Sequence, residues 1–218
     1  MEKESQTIFD KNVIEFVTVA AEFCSFLERA ESMKRSTFID TSLKILPLLY
    51  LKASMLPKCD TIGEEAPETY VTEEIYEILR INLAGLLGEK DDFLDVFVED
   101  MVYSDQPIKK SISEELADIY QDIKDFIFVF QLGLNETMND SLAICQENFE
   151  TVWGQKLLNT LRALHDAKYN QPEEEADQDE EGFYELSDND NCCEKEDCHC
   201  HQDDCHCHED GCHCHNDE

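Results

Sequence analysis

The chain has 218 residues with 51 Asp and Glu against 17 Lys and Arg, a formal net charge of −34. A protein this acidic has no basic stripe with which to displace counterions from phosphates, which argues against nucleic acid and anionic membrane surfaces as partners. The acids fall into two populations, 19 beside a single lysine from Gln171 onward and 32 beside 16 bases before it.

The start, Met1-Glu2-Lys3-Glu4-Ser5-Gln6, lacks the basic and apolar regions of a secretory leader. Apolar stretches such as Ile45 to Leu51 fall short of the roughly 20 residues that span a bilayer. The expectation is a cytoplasmic protein with reduced thiols.

Between Ile8 and Met33, the residues Phe9, Val13, Phe16, Val17, Ala20, Cys24 and Leu27 recur at three- and four-residue intervals, which predicts an amphipathic helix. A second helix is predicted from about Thr37 to Leu56 through Leu43, Leu46, Leu49, Tyr50 and Ala53, kinked at Pro47. Pro57, Gly63 and Pro67 bracket a loop. A third helix starts near Thr72, carries Ile75, Ile78, Leu79, Leu83 and Leu86 on one face, and stops around Gly88. Asp91 to Val102 reads as a short helix with Phe93, Leu94, Phe97 and Val98 buried. Ser111-Ile112-Ser113-Glu114 has the spacing of a capping box. The helix it opens passes through Leu116, Ile119, Tyr120, Ile123, Ile127 and Phe130 and ends before Gly133. The last helix, Met138 to Lys168, has Leu142, Cys145, Phe149, Val152, Trp153, Leu157, Leu161 and Leu164 as its stripe.

No segment alternates with period two between hairpin turns, so the fold class is all-α, a single helical-bundle-like domain of five to seven helices over residues 1–170. Residues 171–197 read as an acidic disordered linker, because high charge and little apolar surface cannot offset the ordering entropy.

Residues 198–218 are three copies of one seven-residue unit. They supply Cys198, His199, Cys200 and His201, then Cys205, His206, Cys207 and His208, then Cys212, His213, Cys214 and His215. Cys192 and Cys193 stand just before them. Thiolates and imidazoles on a short acidic peptide are ligands for soft and borderline metal ions. One Cys-His-Cys-His tetrapeptide does not easily wrap a tetrahedral ion, whereas two repeats together supply four sulfurs. Discrete four-sulfur sites and a cluster with shared thiolates both satisfy these residues, and the sequence leaves that choice open. Zinc is the first expectation, with copper or nickel as alternatives.

Three stretches carry a resemblance: Ile45-Leu46-Pro47-Leu48-Leu49-Tyr50; Leu116 to Lys124; and Trp153-Gly154 with Leu161-Arg162-Ala163-Leu164-His165. They resemble a family of small bacterial helical proteins catalogued as a domain of unknown function, number 5063 in that series. The similarity covers about Phe9 to Asp166 and leaves the Cys/His repeats outside. The resemblance implies a fold boundary and no catalytic residue.

Nothing in the body composes an enzyme. The Glu-x-x-His pairs of di-iron bundles are missing, since the body's single histidine, His165, follows Arg162 at that spacing. There is no phosphate-cradling glycine loop and no nucleophile elbow. Cys24 and Cys145 lie on apolar faces as small hydrophobes, Cys59 stands apart, and Arg162, His165 and Trp153 read as a polar junction between helices. Asp91-Asp92 and Glu73-Glu74 read as solvated helix starts. The functional expectation is a non-enzymatic protein whose tail binds metal for buffering or delivery while the body docks a protein partner. The alternative is a helical adaptor or chaperone-like module with a solubilising tail.

Overall fold

This computed structural model describes residues 7–64, 67–95 and 108–170, and six α-helices lie among the described residues; four match predicted helices and the last two divide a fifth, expected as one helix. The linker 171–197, the Cys/His repeats, Phe97 and Val98 lie outside the described residues.

Helix α1 spans Lys11–Glu28, and its first turn is capped by the Asp10 carboxylate, which accepts from Asn12 N at 2.8 Å. Because the helix begins only after that cap, Phe9 is off its phase and is 60% exposed, while Ile8 is fully buried. Helix α2, Arg35–Ser54, runs through Pro47, whose ring lies on the exposed side. Helix α3, Glu73–Leu87, opens on Thr72, whose hydroxyl accepts from Ile75 N, and closes on Gly88 at φ 56°. Its buried line is Leu79, Leu83 and Leu87. Ile78 is a step of about 100° round from Leu79, and it faces out at 55% exposure rather than joining the core.

The segment expected to be helical from Asp91 is instead extended where it is described. Strand β1, Asp92–Leu94, pairs antiparallel with β2, Lys109–Ser111, with Phe93 opposite Lys110. The cause is Asp91. Its carbonyl accepts from Ile112 N at 2.7 Å, and its carboxylate accepts from Ser113 N and Ser113 Oγ, both at 2.7 Å. Asp91 thereby caps helix α4, Ile112–Gln131, from 22 residues upstream and lays the following chain beside the approach to that helix. The capping box is overturned by the same contact: Ser111 Oγ makes no bond to a backbone amide and lies 3.5 Å from Glu114 Oε2. Asp91 is therefore a buried cap and not a solvated helix start, and Asp92 pairs with Lys109 at 2.6 Å.

Helix α4 is the centre of the domain, packing on α1, α3 and α5, and on the last helix. Phe126 meets Phe16 of α1 with ring centroids 5.5 Å apart, and Phe26 of α1 stacks on Phe38 of α2 at 5.1 Å. After Gly133, at φ 74°, helix α5, Asn135–Asn148, continues through one π turn, Phe149–Trp153, into α6, Gly154–Tyr169. The extra residue of a π turn rotates the phase. Trp153 is thereby fully buried and Val152, placed on the same stripe by simple periodicity, is 43% exposed. Gly154 is required at the exit of the turn, since a Cβ there would lie 2.3 Å from the Phe149 carbonyl oxygen.

Trp153 donates from Nε1 to the Cys145 carbonyl at 3.1 Å and packs on Phe149 at 4.7 Å. Trp153→Ala should therefore cost about 3–5 kcal/mol, and Gly154→Ala about 1–3 kcal/mol by forcing Phe149 aside. Val152→Ala should stay within about 1 kcal/mol. Urea melts followed by circular dichroism test all three, and a Val152 effect equal to that of Trp153 would place the wrong face inward.

Candidate functional site

The ligand set expected from sequence, Cys192, Cys193 and the twelve Cys and His of the repeats, lies outside the described residues. Among the described residues no group of three or more His, Cys, Asp or Glu is placed to hold a metal ion. The body thiols are unsuited to ligation one by one. Burial pushes the Cys24 thiol up to about 12, and it holds Cys145 well above its ordinary value. Cys59, half-buried, is pushed up to about 11 by burial first and then by the charges of Asp60 and Asp140. Thiols this reluctant to ionise are poor nucleophiles and poor ligands at neutral pH.

The body does contain a cleft of about 530 Å³ between α4, α5 and the loop at Pro67 to Thr69. Asp118, Asp122 and Asp125 line it, spaced by four and three residues along one face of α4. Each is engaged. Asp118 accepts from the Tyr76 hydroxyl at 2.7 Å and pairs with Lys156. Asp122 accepts from Asn148 Nδ2 at 2.8 Å. Asp125 accepts from the backbone amides of Tyr70 and Val71 at 2.7 and 2.8 Å, fixing the loop that leads into α3. Burial pushes the carboxyls of Asp122 and Asp125 up, against the hydrogen bonds that favour their charged forms. Burial, then the neighbouring Asp118, raises the Tyr76 phenol.

A similar tie closes the loop after α2. Asp140 on α5 accepts from Ile62 N at 2.6 Å and Gly63 N at 2.8 Å, and Asn139 Nδ2 donates to the Asp60 carbonyl at 2.8 Å. A Cβ on Gly63 would come within 2.6 Å of Asp140 Oδ2, so the carboxylate seats only against glycine. Sequence reasoning read Asp91 as a solvated helix start and missed Asp125 and Asp140, for which the available signal was acidic residues on otherwise apolar helix faces.

Arg162, His165 and Trp153 do not form a unit. The indole is buried against Cys145 and Phe149, whereas Arg162 and His165 are exposed and face a second cavity between α6 and the segment Lys90 to Asp95. None of the described helices is long and apolar enough to cross a membrane.

These observations define a small all-α domain whose loops are tied down by helix-borne carboxylates. The chain belongs to the family described as Domain of unknown function (DUF5063), which matches residues 7–170. It is similar, at 76% identity and a TM-score of 0.69, to the crystal structure of protein BF1032 from Bacteroides fragilis, over 77% of this chain and 98% of that one. No functionally curated protein matches.

The raised carboxyls set a pH dependence. A carboxyl whose folded value lies above its unfolded value of about 3.9 stabilises the fold fully below that pH and loses the contribution as pH rises through the folded value. Asp122→Asn keeps an oxygen to accept from Asn148 and removes the titration. Its stability relative to wild type should therefore improve as pH rises from about 4 toward neutrality, since the raised carboxyl of the wild type loses its contribution in that direction. Urea midpoints across that range measure it, and a difference independent of pH would show that burial does not govern Asp122.

Proposed function

We propose that this protein captures a thiophilic metal ion on its C-terminal repeats, with the helical body serving as carrier and docking platform for a protein partner. The observation that carries this reading is the threefold Cys-His-Cys-His unit. It concentrates six of the chain's seven histidines and, with Cys192 and Cys193, eight of its eleven cysteines into 24 residues. The contrast with the body supports it, for the body thiols are buried or held protonated, and Asp118, Asp122 and Asp125 of the α4 cleft are engaged by Tyr76 and Lys156, by Asn148 and by the amides of Tyr70 and Val71. The metal is zinc by first preference, with Cu(I) matching the thiolates equally well and Ni(II) favoured only where imidazoles dominate. The role is binding rather than catalysis, in a reducing compartment such as the cytosol where the thiols stay available.

A second reading, an adaptor with a solubilising tail, draws on α3, where Ile78 and Ile81 are 55% and 58% exposed one turn apart. Metal content separates the two. Untagged protein purified from cells should carry zinc or copper, and the chain ending at Asn170 should carry none.

Ligation by thiolate also fixes a proton balance. Metal binding should release protons and weaken steeply as pH falls. Replacing the eight tail cysteines with serine should abolish tight binding of Zn(II) and Cu(I), whereas replacing the six tail histidines should weaken it less. Calorimetric titration against a competing chelator measures both. Binding that survives in the cysteine-free tail and disappears from the histidine-free tail would make the imidazoles the working ligands and nickel the better metal.

A further inference from the structure

The cavity between α6 and the segment Lys90 to Asp95 has a volume of about 570 Å³, within the range of small-molecule sites. It gathers cationic side chains on a chain that has few to spare. Arg162 and His165 stand one turn apart on α6. Lys90 approaches from the other wall, its ammonium held in place by donation to the Ala167 carbonyl at 3.1 Å.

Arg162 has no hydrogen bond or ion pair within the described residues, in contrast to the other arginines. Arg29 donates to the Ser25 carbonyl at 3.0 Å, Arg35 to the Leu86 carbonyl at 2.9 Å, and Arg80 to Glu77 at 2.7 Å. A free guanidinium is conspicuous where acids outnumber bases 51 to 17.

Three acids, Asp92, Asp95 and Asp166, line the cavity as well, and each has a partner other than Arg162. Asp92 pairs with Lys109 at 2.6 Å and Asp95 with Lys110 at 2.9 Å. Asp166, one turn from Arg162, accepts instead from Asn170 Nδ2 at 3.0 Å. The donors left pointing to the cavity are a planar fork, an imidazole and an ammonium, the set that recognises an oxyanion. Phe93 and Leu94 of β1 add an apolar wall beside it.

We propose that this cavity binds a small molecule with an anionic head and an apolar body. Arg162, His165 and Lys90 hold the phosphate or carboxylate, and Phe93 and Leu94 take the remainder. The site is independent of the metal ligands on the tail.

The test uses full-length protein in the presence of a chelator, titrated calorimetrically with phenyl phosphate, benzoate and benzylamine. One of the two anions should bind saturably at millimolar concentration or below, and the stronger of the two identifies a phosphate or a carboxylate head. Benzylamine should not bind. Arg162→Gln should weaken the anion about tenfold or more, as expected for loss of a charge-assisted pair, with an unchanged melting temperature in the absence of ligand. Asp166→Asn should strengthen it by removing a lining carboxylate whose partner, the Asn170 amide, carries no charge. Saturable binding by neither anion, an Arg162→Gln variant that binds as wild type does, or an Asp166→Asn variant that binds more weakly would each overturn the proposal.

Discussion

A carboxylate accepting two donors from a distant stretch of chain is the interaction on which this fold depends. Asp91 does this for the first turn of α4, Asp125 for the residues leading into α3, and Asp140 for the loop after α2. Each satisfies backbone amides that no helix or strand pairs, and at Ser113 the bond is buried, where an amide left without a partner costs more than the bond itself contributes. Among its described residues the long connection from Met55 to Thr72 has no ladder of its own, so two of these ties supply the order that a sheet gives in other folds. Ion pairs between helices, such as Lys52 with Glu15 at 2.6 Å and Lys124 with Glu28 at 2.6 Å, are partly exposed and contribute little beside them.

The helices were legible because their apolar residues repeat with the period of the α-helix, and that information is local. Phe16, Leu46, Leu83, Ile123 and Leu164 are all fully buried as the spacing requires. The ties were illegible for the opposite reason. They join residues separated by 22, 54 and 78 positions, and an aspartate that will accept two amides reads in sequence like one that faces water. This is why the short helix expected at Asp91 proved to be a strand and why the capping role assigned to Ser111 belongs to Asp91. The π turn hid from periodic reading too, since a phase slip looks like a stripe that drifts. Its one visible trace was the glycine after Trp153.

The metal reading rests on the opposite kind of information, residue type and repetition with no fold required. A Cys-His-Cys-His unit carries its donors whatever its backbone does, so its chemistry was read without a structure. The cavity at Arg162 needed the fold, because an arginine without a partner among the described residues is recognised only after the partners of the others are known. The two proposals concern ligands of opposite sign, an anion at the cavity of the domain and a metal cation at the repeats.

The buried indole has a practical consequence. Trp153 is the chain's single tryptophan, and its N–H is bound inside the domain rather than to water. Tryptophan emission from this protein is therefore a signal from the helical body alone, and its wavelength reports whether the turn at Phe149 is intact. Metal ligation by the repeats, as proposed, would add sulfur-to-metal charge-transfer absorption in the ultraviolet. The two optical channels would differ in origin, so one cuvette would follow unfolding of the domain and the proposed loading of the tail as separate events.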